Sequence, residues 1–175
     1  PGCGPGGSGW RSVRRRIVQR GVEYARLQPL IRAYDSRPIG APRETGTRVG
    51  PLVGQRSLER MHGAMAEARE QGGKVLVGGE RMLFDRFPDA AYARPAIVDM
   101  PGQTDIVRAE TFAPILYVLT YDDLDEAIDL NNDVPQGLSS CIFTLDVREA
   151  ERFVAATGSD CGIANVNIGP SGAEI

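Results

Sequence analysis

The chain has 175 residues, of which 42% are hydrophobic and 25% charged, so it can bury one core and is expected to form one domain. Its net charge of -3 and its pI near 5.3 argue against a nucleic-acid partner, because a nucleic-acid binder would present a basic face. No run approaches the roughly 20 apolar residues of a membrane-spanning helix, so no membrane partner is expected either.

The N-terminal half of the sequence predicts a loose head, a strand and two helices. The first residues are mostly Gly, Pro and Ser, and residues 1–12 are expected to form a disordered or aberrant head. β-branched side chains predict a strand over 13–19. Apolar residues at helical spacing predict helices over 22–34 and 55–71, with a Gly- and Pro-rich loop between them. Pro29 should kink or shorten the first helix, and the Gly-Gly pair after the second should end it.

The rest of the sequence alternates short apolar strands with helices. The predicted strands are 74–79, 93–100, 114–121, 139–145 and 161–168, and the predicted helices are 123–132 and 147–157. This alternation predicts an α/β fold with a largely parallel sheet flanked by helices. No closing element follows the last strand, so both ends look cut, and residues 13–175 are interpreted as part of a larger domain.

The stretch GCGPGG matches the G-x-G-x-x-G pattern of dinucleotide-binding loops through Gly2, Gly4 and Gly7. That pattern needs a strand before it and a helix N-terminus after it, because the pyrophosphate binds the free N–H groups of that helix. No strand precedes Gly2 in the sequence, and Pro5 lies inside the match. The match is therefore interpreted as chance, which argues against an unrelated NAD-binding enzyme that uses this loop.

Three cysteines and one histidine are the candidates for nucleophilic or metal chemistry. The odd count of Cys3, Cys141 and Cys161, without a C-x-x-C pair, fits reduced thiols in a cytoplasmic protein. None of them has an evident local base, so all three are expected to be non-catalytic. His62 is the only histidine and is predicted to lie on the surface. No Cys/His cluster has ligand spacing, so no metal site is expected.

Two polar stretches at strand ends are candidate ligand-binding loops. In RAETFAPILYV, Glu110 and Phe112 stand just before a strand. A carboxylate there could accept hydrogen bonds from sugar hydroxyls, and a ring could pack on a flat heterocycle. The Gly-rich stretch NVNIGPSGAEI follows the last strand, and loops at the carboxyl ends of parallel strands commonly bind ligands. The residues alone leave ligand binding and ordinary loop packing open for both stretches.

Several segments together resemble the aldehyde dehydrogenase superfamily, and within it the antiquitin-like branch of α-aminoadipic semialdehyde (piperideine-6-carboxylate) dehydrogenases. The resemblance runs from about Val13 to Ile175. The segments that carry it are VGPLVGQRSLERM, EAREQGGKVLVGG, ETFAPILYV, NNDVPQGLSSCIFT and GSDCGIANVNIGPSGAEI. The fold it implies is part of the catalytic domain of that family.

The resemblance also implies a reaction and a set of site residues. A cysteine thiolate would attack the aldehyde, hydride would pass to NAD, and water would hydrolyse the thioester to the acid. Glu110 falls on the family's E-x-F position, where the carboxylate holds the nicotinamide ribose, and Phe112 falls where the ring packs beside the nicotinamide. Gly172 and Ala173 fall in the branch's substrate loop, where backbone N–H groups would hold a distal carboxylate. The expected substrate is a small-molecule semialdehyde of lysine catabolism, and the parent enzymes are homo-oligomeric.

The chain departs from the family pattern at the nucleophile. The branch reads roughly G-Q-R-C-T-T-L-R-R where this chain reads GSGWRSVRR, and an ungapped alignment places Trp10 at the cysteine's position. Indole cannot attack a carbonyl, so no catalytic residue is assigned and the chain itself is predicted to be inactive. The family's general-base glutamate and Rossmann domain are expected to lie outside the sequence. The alternative hypothesis is a non-catalytic remnant that associates with full-length homologues or has no function.

Overall fold

A computed structural model describes residues 13–169 of the chain. The predicted head over 1–12 and the stretch 170–175 therefore lie outside the described residues. The chain divides into two compact units, an N-terminal unit up to Thr120 and a C-terminal unit from Tyr121 onward. In chain order the elements are β1 (Arg15–Gln19), α1 (Glu23–Asp35), α2 (Gln55–Glu70), β2 (Lys74–Val77), β3 (Arg81–Met82), β4 (Tyr92–Ala93), β5 (Ala96–Asp99), α3 (Asp105–Arg108), β6 (Ile115–Tyr121), α4 (Leu124–Asn132), β7 (Ser139–Ile142), α5 (Val147–Val154) and β8 (Ile163–Val166).

The main sheet holds four of the described strands in the order β1-β6-β5-β2. β5 and β6 run parallel, with Ala96 opposite Ile115. β2 runs antiparallel to β5 at the edge and carries an irregularity between Val75 and Val77. The parallel pairing of β5 with β6, together with the flanking helices, confirms the predicted α/β class.

A long helix packs on each face of this sheet, and β6 shows how the sequence produces that arrangement. Successive side chains of a strand point to opposite faces, so Tyr117 and Leu119 pack with α2, whereas Leu116 and Val118 pack with α1. A strand buried on both faces must be apolar throughout, and ILYVLTY is apolar over its first five positions, all of which are buried. The helices therefore sandwich the sheet within the N-terminal unit.

The two long helices form largely as their apolar spacing predicts. In α2 the stripe of Leu58, Met61, Met65 and Ala68 is buried, and the chain leaves the helix through Gly72 at a φ of +90°. Of the two effects predicted for Pro29, a kink or a shorter helix, the shortening does not occur, because the helix continues past it to Asp35. Burial of Leu27 and Tyr34 on either side of Pro29 offsets the hydrogen bond that the proline removes.

Three short elements were not predicted, since two to four residues carry no periodic signal. β3 and β4 form an antiparallel pair, with Arg81 opposite Ala93. α3 occupies four residues of the connection from β5 to β6, and its Ile106 and Val107 are buried. This connection carries the sequence ETF, so α3 lies directly before the predicted site.

The C-terminal unit, described over 121–169, pairs two helices with two parallel strands. The Asp123 side chain accepts a 2.9 Å hydrogen bond from the Glu126 amide and caps α4. β7 and β8 pair in parallel, with Ser139 opposite Ile163, and α5 forms the crossover between them. Between residues 13 and 169 no helix is both long and apolar enough to cross a membrane.

Candidate cofactor and substrate site

Glu110 and Phe112 lie on the connection that enters β6, and both side chains are exposed. The Ala109 amide donates to the Asp105 carbonyl at 2.9 Å, which closes α3 one residue before Glu110. On the other side Pro114 is buried, and its carbonyl accepts from the Ala96 amide at 2.8 Å. The acid and the ring are therefore presented on a short segment that is fixed at both ends.

Phe112 adopts a backbone conformation that is unusual for an aromatic residue. Its φ is +50°, in the left-handed region that L-residues with bulky side chains rarely occupy. The next residue, Ala113, packs against the core, while 44% of the Phe112 surface stays exposed. Strain of this kind persists only where surrounding contacts impose it, and it concentrates at functional sites. The backbone thus turns an apolar ring towards solvent at a cost in free energy.

Arg14 directly precedes β1 and Tyr117 lies on the neighbouring strand β6, and Arg14 interacts electrostatically with Glu110. The Tyr117 amide donates to the Arg14 carbonyl at 2.9 Å, which joins the two residues across β1 and β6. Burial lowers the pKa of the Arg14 guanidinium, while the negative charge of Glu110 opposes that fall. Burial also raises the pKa of Tyr117 to about 12. The Glu110 side chain therefore interacts electrostatically with Arg14, and a carboxylate at this position can act only as a hydrogen-bond acceptor.

The Tyr117 hydroxyl is an exception to the usual pairing of buried polar atoms. It is fully buried, and no hydrogen bond of ordinary geometry reaches it from residues 13–169. The Thr111 hydroxyl lies close enough to act as a partner that lowers the pKa of Tyr117, although burial outweighs that effect. Thr111 stands between Glu110 and Phe112, so this contact ties the middle of the site to β6.

Two side-chain hydrogen bonds hold the start of the same connection. Arg15 donates from Nη1 to Gln103 Oε1 at 2.9 Å, which links β1 to the residues before α3. The Ile106 amide donates to Gln71 Oε1 at 3.2 Å, which links α3 to the C-terminal end of α2. The segment that presents Glu110 and Phe112 is thus braced against two other elements of the N-terminal unit.

The second predicted loop begins at the end of β8 in the C-terminal unit. Asn165 donates from Nδ2 to the Gly169 carbonyl at 3.1 Å, and Asn167 adopts a φ of +57°. Gly172 and Ala173, the predicted donors to a substrate carboxylate, lie outside the described residues, as does Trp10. Their roles therefore remain predictions.

Of the cysteine and histidine candidates, Cys3 lies outside the described residues, whereas the other three lie within them. Cys141 lies half-buried in β7 opposite Asn165, and burial raises the pKa of its thiol. Cys161 is half-buried in the turn before β8. His62 is exposed on α2, with Nε2 3.1 Å from the Gly79 carbonyl oxygen. Over 13–169, no three His, Cys, Asp or Glu side chains cluster in a way that could hold a metal ion.

The comparison with family models is decisive for the identity of the chain. The model described as the aldehyde dehydrogenase family matches residues 10–174. The chain belongs to the aldehyde dehydrogenase family. The resemblance inferred from the sequence is thereby confirmed, and the fold described above is part of the aldehyde dehydrogenase fold.

Individual proteins of known name are also similar to this aldehyde dehydrogenase chain. It is 40% identical over 172 residues to aldehyde dehydrogenase family 7 member A1 of Pisum sativum, covering 98% of the chain and 33% of that protein. It is also 40% identical over 173 residues to alpha-aminoadipic semialdehyde dehydrogenase of Bos taurus, covering 98% and 31%. The betaine aldehyde dehydrogenase of Staphylococcus aureus, solved in complex with NAD+, matches with a TM-score of 0.86 at 26% identity, covering 94% and 32%. The chain spans about a third of the length of the curated relatives it matches.

Sequence reasoning missed the groups that surround the predicted aldehyde dehydrogenase site. Arg14 was given no role at the site, because its electrostatic interaction with Glu110 depends on the pairing of β1 with β6. Asn167 was quoted in a motif without a role of its own. Asparagine is enriched at positive φ, so its residue type was the available signal, although the predicted strand over 161–168 ran through it.

Proposed function

We propose that this chain is part of an NAD-dependent aldehyde dehydrogenase that oxidises a semialdehyde bearing a carboxylate, such as α-aminoadipic semialdehyde. The observation that supports this most directly is the ring of Phe112, turned outward at positive φ beside an exposed Glu110. The pair occupies the E-x-F position in a chain 40% identical to alpha-aminoadipic semialdehyde dehydrogenase of Bos taurus. The bovine name supports the substrate, and the NAD+ complex of the Staphylococcus aureus relative supports the cofactor.

The two residues suit the nicotinamide half of NAD in their chemistry. An ionised Glu110 has only acceptor oxygens and therefore suits the two hydroxyl donors of a ribose. Phe112 offers a flat apolar face on which a nicotinamide ring can pack. NAD supplies the hydride acceptor when it is bound. The role of Glu110 and Phe112 is to orient that half of the cofactor, and the braced connection keeps them in place.

We propose further that residues 1–175 alone do not oxidise aldehydes. The ungapped alignment puts Trp10 where the family has its nucleophile, and an indole ring cannot form the thiohemiacetal. Cys141 does not replace it, because burial raises the pKa of its thiol and the thiolate is the reactive form. The expected result is no reduced NAD above background when the purified chain is mixed with NAD and α-aminoadipic semialdehyde, measured by absorbance. Turnover that scales with chain concentration would refute this.

The cofactor half-site can be tested without turnover by binding nicotinamide mononucleotide, which carries the ring and ribose but lacks adenosine. Phe112→Ala should weaken this binding by about 1 kcal/mol, or about fivefold in Kd. Glu110→Gln, which keeps the shape but removes the charge, should weaken it about tenfold. Ligand-detected NMR titration of the chain measures both values.

Two controls make this binding experiment specific. Phe84→Ala removes another exposed phenylalanine of the N-terminal unit and should leave the Kd unchanged. Adenosine monophosphate, which lacks the nicotinamide, should show no dependence on Glu110 or Phe112. If Phe84→Ala weakens mononucleotide binding as much as Phe112→Ala does, the assignment of the half-site is wrong.

A second candidate function, association with intact homologues, is favoured by one observation. The C-terminal unit exposes large apolar side chains around the ends of β7 and β8, with Phe143 at 69% and Leu145 fully exposed. A soluble monomer rarely exposes such side chains together. Mixing the chain with a full-length family member should then give a complex on sizing chromatography, and Leu145→Glu should abolish it. A chain that elutes alone at every concentration counts against this candidate.

A further inference from the structure

Gln71, at the C-terminal end of α2, makes a hydrogen bond to the first turn of α3. Its Oε1 accepts from the Ile106 amide at 3.2 Å, and its Nε2 donates to Glu67 Oε1 at 2.9 Å. Ile106 is the second residue of α3, so its amide is one of the N–H groups that a helix leaves without a partner of its own. Gln71 therefore caps α3 from another helix.

Thr104 is the residue from which such a cap would ordinarily come, because it directly precedes α3. Threonine is a common N-cap, yet the Thr104 side chain makes no cap bond, and its buried hydroxyl has no hydrogen-bond partner among residues 13–169. Its backbone carbonyl accepts from the Val107 and Arg108 amides at 3.0 and 3.1 Å. A helix of four residues has little stability of its own, so α3 depends on contacts such as the one from Gln71.

The end of α2 holds Gln71 in the position that this contact requires. The Gln71 amide donates to the Glu67 carbonyl at 2.9 Å, and the chain then turns at Gly72 with a φ of +90°. Gly72 lies against the start of the connection from β5 to β6, since a Cβ added to it would be 3.2 Å from Pro101 Cγ. The bond from Nε2 to Glu67 fixes the carboxamide with its oxygen left for the Ile106 amide.

The same connection leads from the capped turn of α3 directly to Glu110 and Phe112. The last bond of α3 joins the Ala109 amide to the Asp105 carbonyl at 2.9 Å, and Glu110 follows at once. Phe112 stands two residues later at a φ of +50°, a strained conformation that persists only while contacts around it hold the backbone. Loosening α3 would therefore let the backbone at Phe112 relax.

We propose that Gln71 is a positioning residue for the cofactor half-site that consists of Glu110 and Phe112. The inference rests on the proposed function, which assigns these two side chains to the nicotinamide half of NAD. Gln71 does not touch the cofactor; by capping α3 it fixes the segment that presents both side chains. A site that is ordered before its ligand arrives binds more tightly, because the ligand does not have to order it.

The test compares two substitutions of Gln71 in the full 175-residue chain. Gln71→Met keeps the length of the side chain but removes both of its hydrogen bonds. Gln71→Glu keeps an acceptor for the Ile106 amide and loses the donor to Glu67, and it places two carboxylates four residues apart at the end of α2. Gln71→Met should weaken the binding of nicotinamide mononucleotide about fivefold, because the connection must then be ordered at the expense of binding. Gln71→Glu should leave the Kd unchanged.

Gln55→Met is the matched control for these variants. Gln55 lies at the other end of α2, and its Nε2 donates to the backbone carbonyl of Asp89 at 3.4 Å. This variant should leave the Kd unchanged. Hydrogen exchange measured by NMR gives a second readout, since the Ile106 and Ala109 amides should exchange faster in Gln71→Met and at the original rate in Gln71→Glu and Gln55→Met.

The outcomes separate the two proposals. If the unmodified chain does not bind nicotinamide mononucleotide, or if Phe112→Ala does not weaken that binding, the assignment of the half-site is wrong, and the role of Gln71 falls with it. If Phe112→Ala weakens the binding and Gln71→Met does not, only the positioning role is overturned. Equal weakening by Gln71→Glu or by Gln55→Met also overturns it, because the effect would then not depend on an acceptor for the Ile106 amide.

Discussion

Gly78→Ala is expected to lower the free energy of unfolding of the N-terminal unit by about 3 kcal/mol or more. Gly78 follows β2 at a φ of +78°, and a Cβ added there would overlap the Pro95 carbonyl and approach the Ala96 Cα to 3.1 Å. All the crowded atoms are backbone at the start of β5, so no side chain can move aside. Relief requires β2 and β5 to separate, and their pairing forms one side of the main sheet.

Gly46→Ala is the matched control for this prediction. Gly46 has a φ of +90°, but a Cβ there meets nothing within 4 Å, so only the conformational cost remains, about 1 kcal/mol. Urea denaturation followed by circular dichroism measures both variants. A loss in Gly78→Ala no greater than that in Gly46→Ala would show that the close approach to Pro95 does not exist in solution.

The second large effect is a loss of stability at alkaline pH that is caused by Tyr117. Its pKa is raised to about 12 by burial, against 10.0 for an unperturbed tyrosine. Below pH 10 the hydroxyl is neutral in both states, so its contribution to stability is fully present. As the pH rises from 10 to 12 the unfolded chain ionises first, and stability falls by about 1.4 kcal/mol per pH unit, or by about 2 to 3 kcal/mol in total.

Tyr117→Phe isolates this contribution from other groups that titrate in the same range. At pH 7 the variant should be as stable as the unmodified chain or slightly more so, since within the described part of the chain the buried hydroxyl has no hydrogen bond of ordinary geometry. Between pH 10 and 12 it should lose about 2 kcal/mol less stability. The measurement is a series of urea titrations across that range. Parallel losses in the two proteins would mean that Tyr117 is not the group responsible.

The sequence predicted elements wherever packing follows a periodic pattern. The stripe of Leu58, Met61 and Ala68 defined α2, and the unbroken apolar run at 115–119 defined a strand buried on both faces. β3, β4 and α3 escaped prediction because they are too short to show a period. The helix predicted over 22–34 forms in spite of Pro29, because the packing of Leu27 and Tyr34 on the sheet outweighs a local preference.

The candidate site was also predicted only in part. Spacing and family resemblance indicated Glu110 and Phe112, and the structure places both side chains in solvent on one segment. The positive φ of Phe112 could not be predicted, because local preference opposes it and only the packing of Ala113 and the neighbouring contacts impose it. Asn167 is the opposite case, since its residue type favours the conformation while its bonds to Thr144 depend on the register of β7 and β8.

The irregular pairing of β2 with β5 also affects how copies of this chain can associate. β2 is an outer strand of the main sheet among the described residues, and its register with β5 shifts between Val75 and Val77. A strand from another chain that paired with β2 would meet backbone hydrogen-bond donors and acceptors at uneven spacing. The turn at Gly78 lies beyond them. Edge-to-edge polymerisation of the kind that produces fibrils is therefore disfavoured on this side, as it is for many natural sheets that end in a bulged strand.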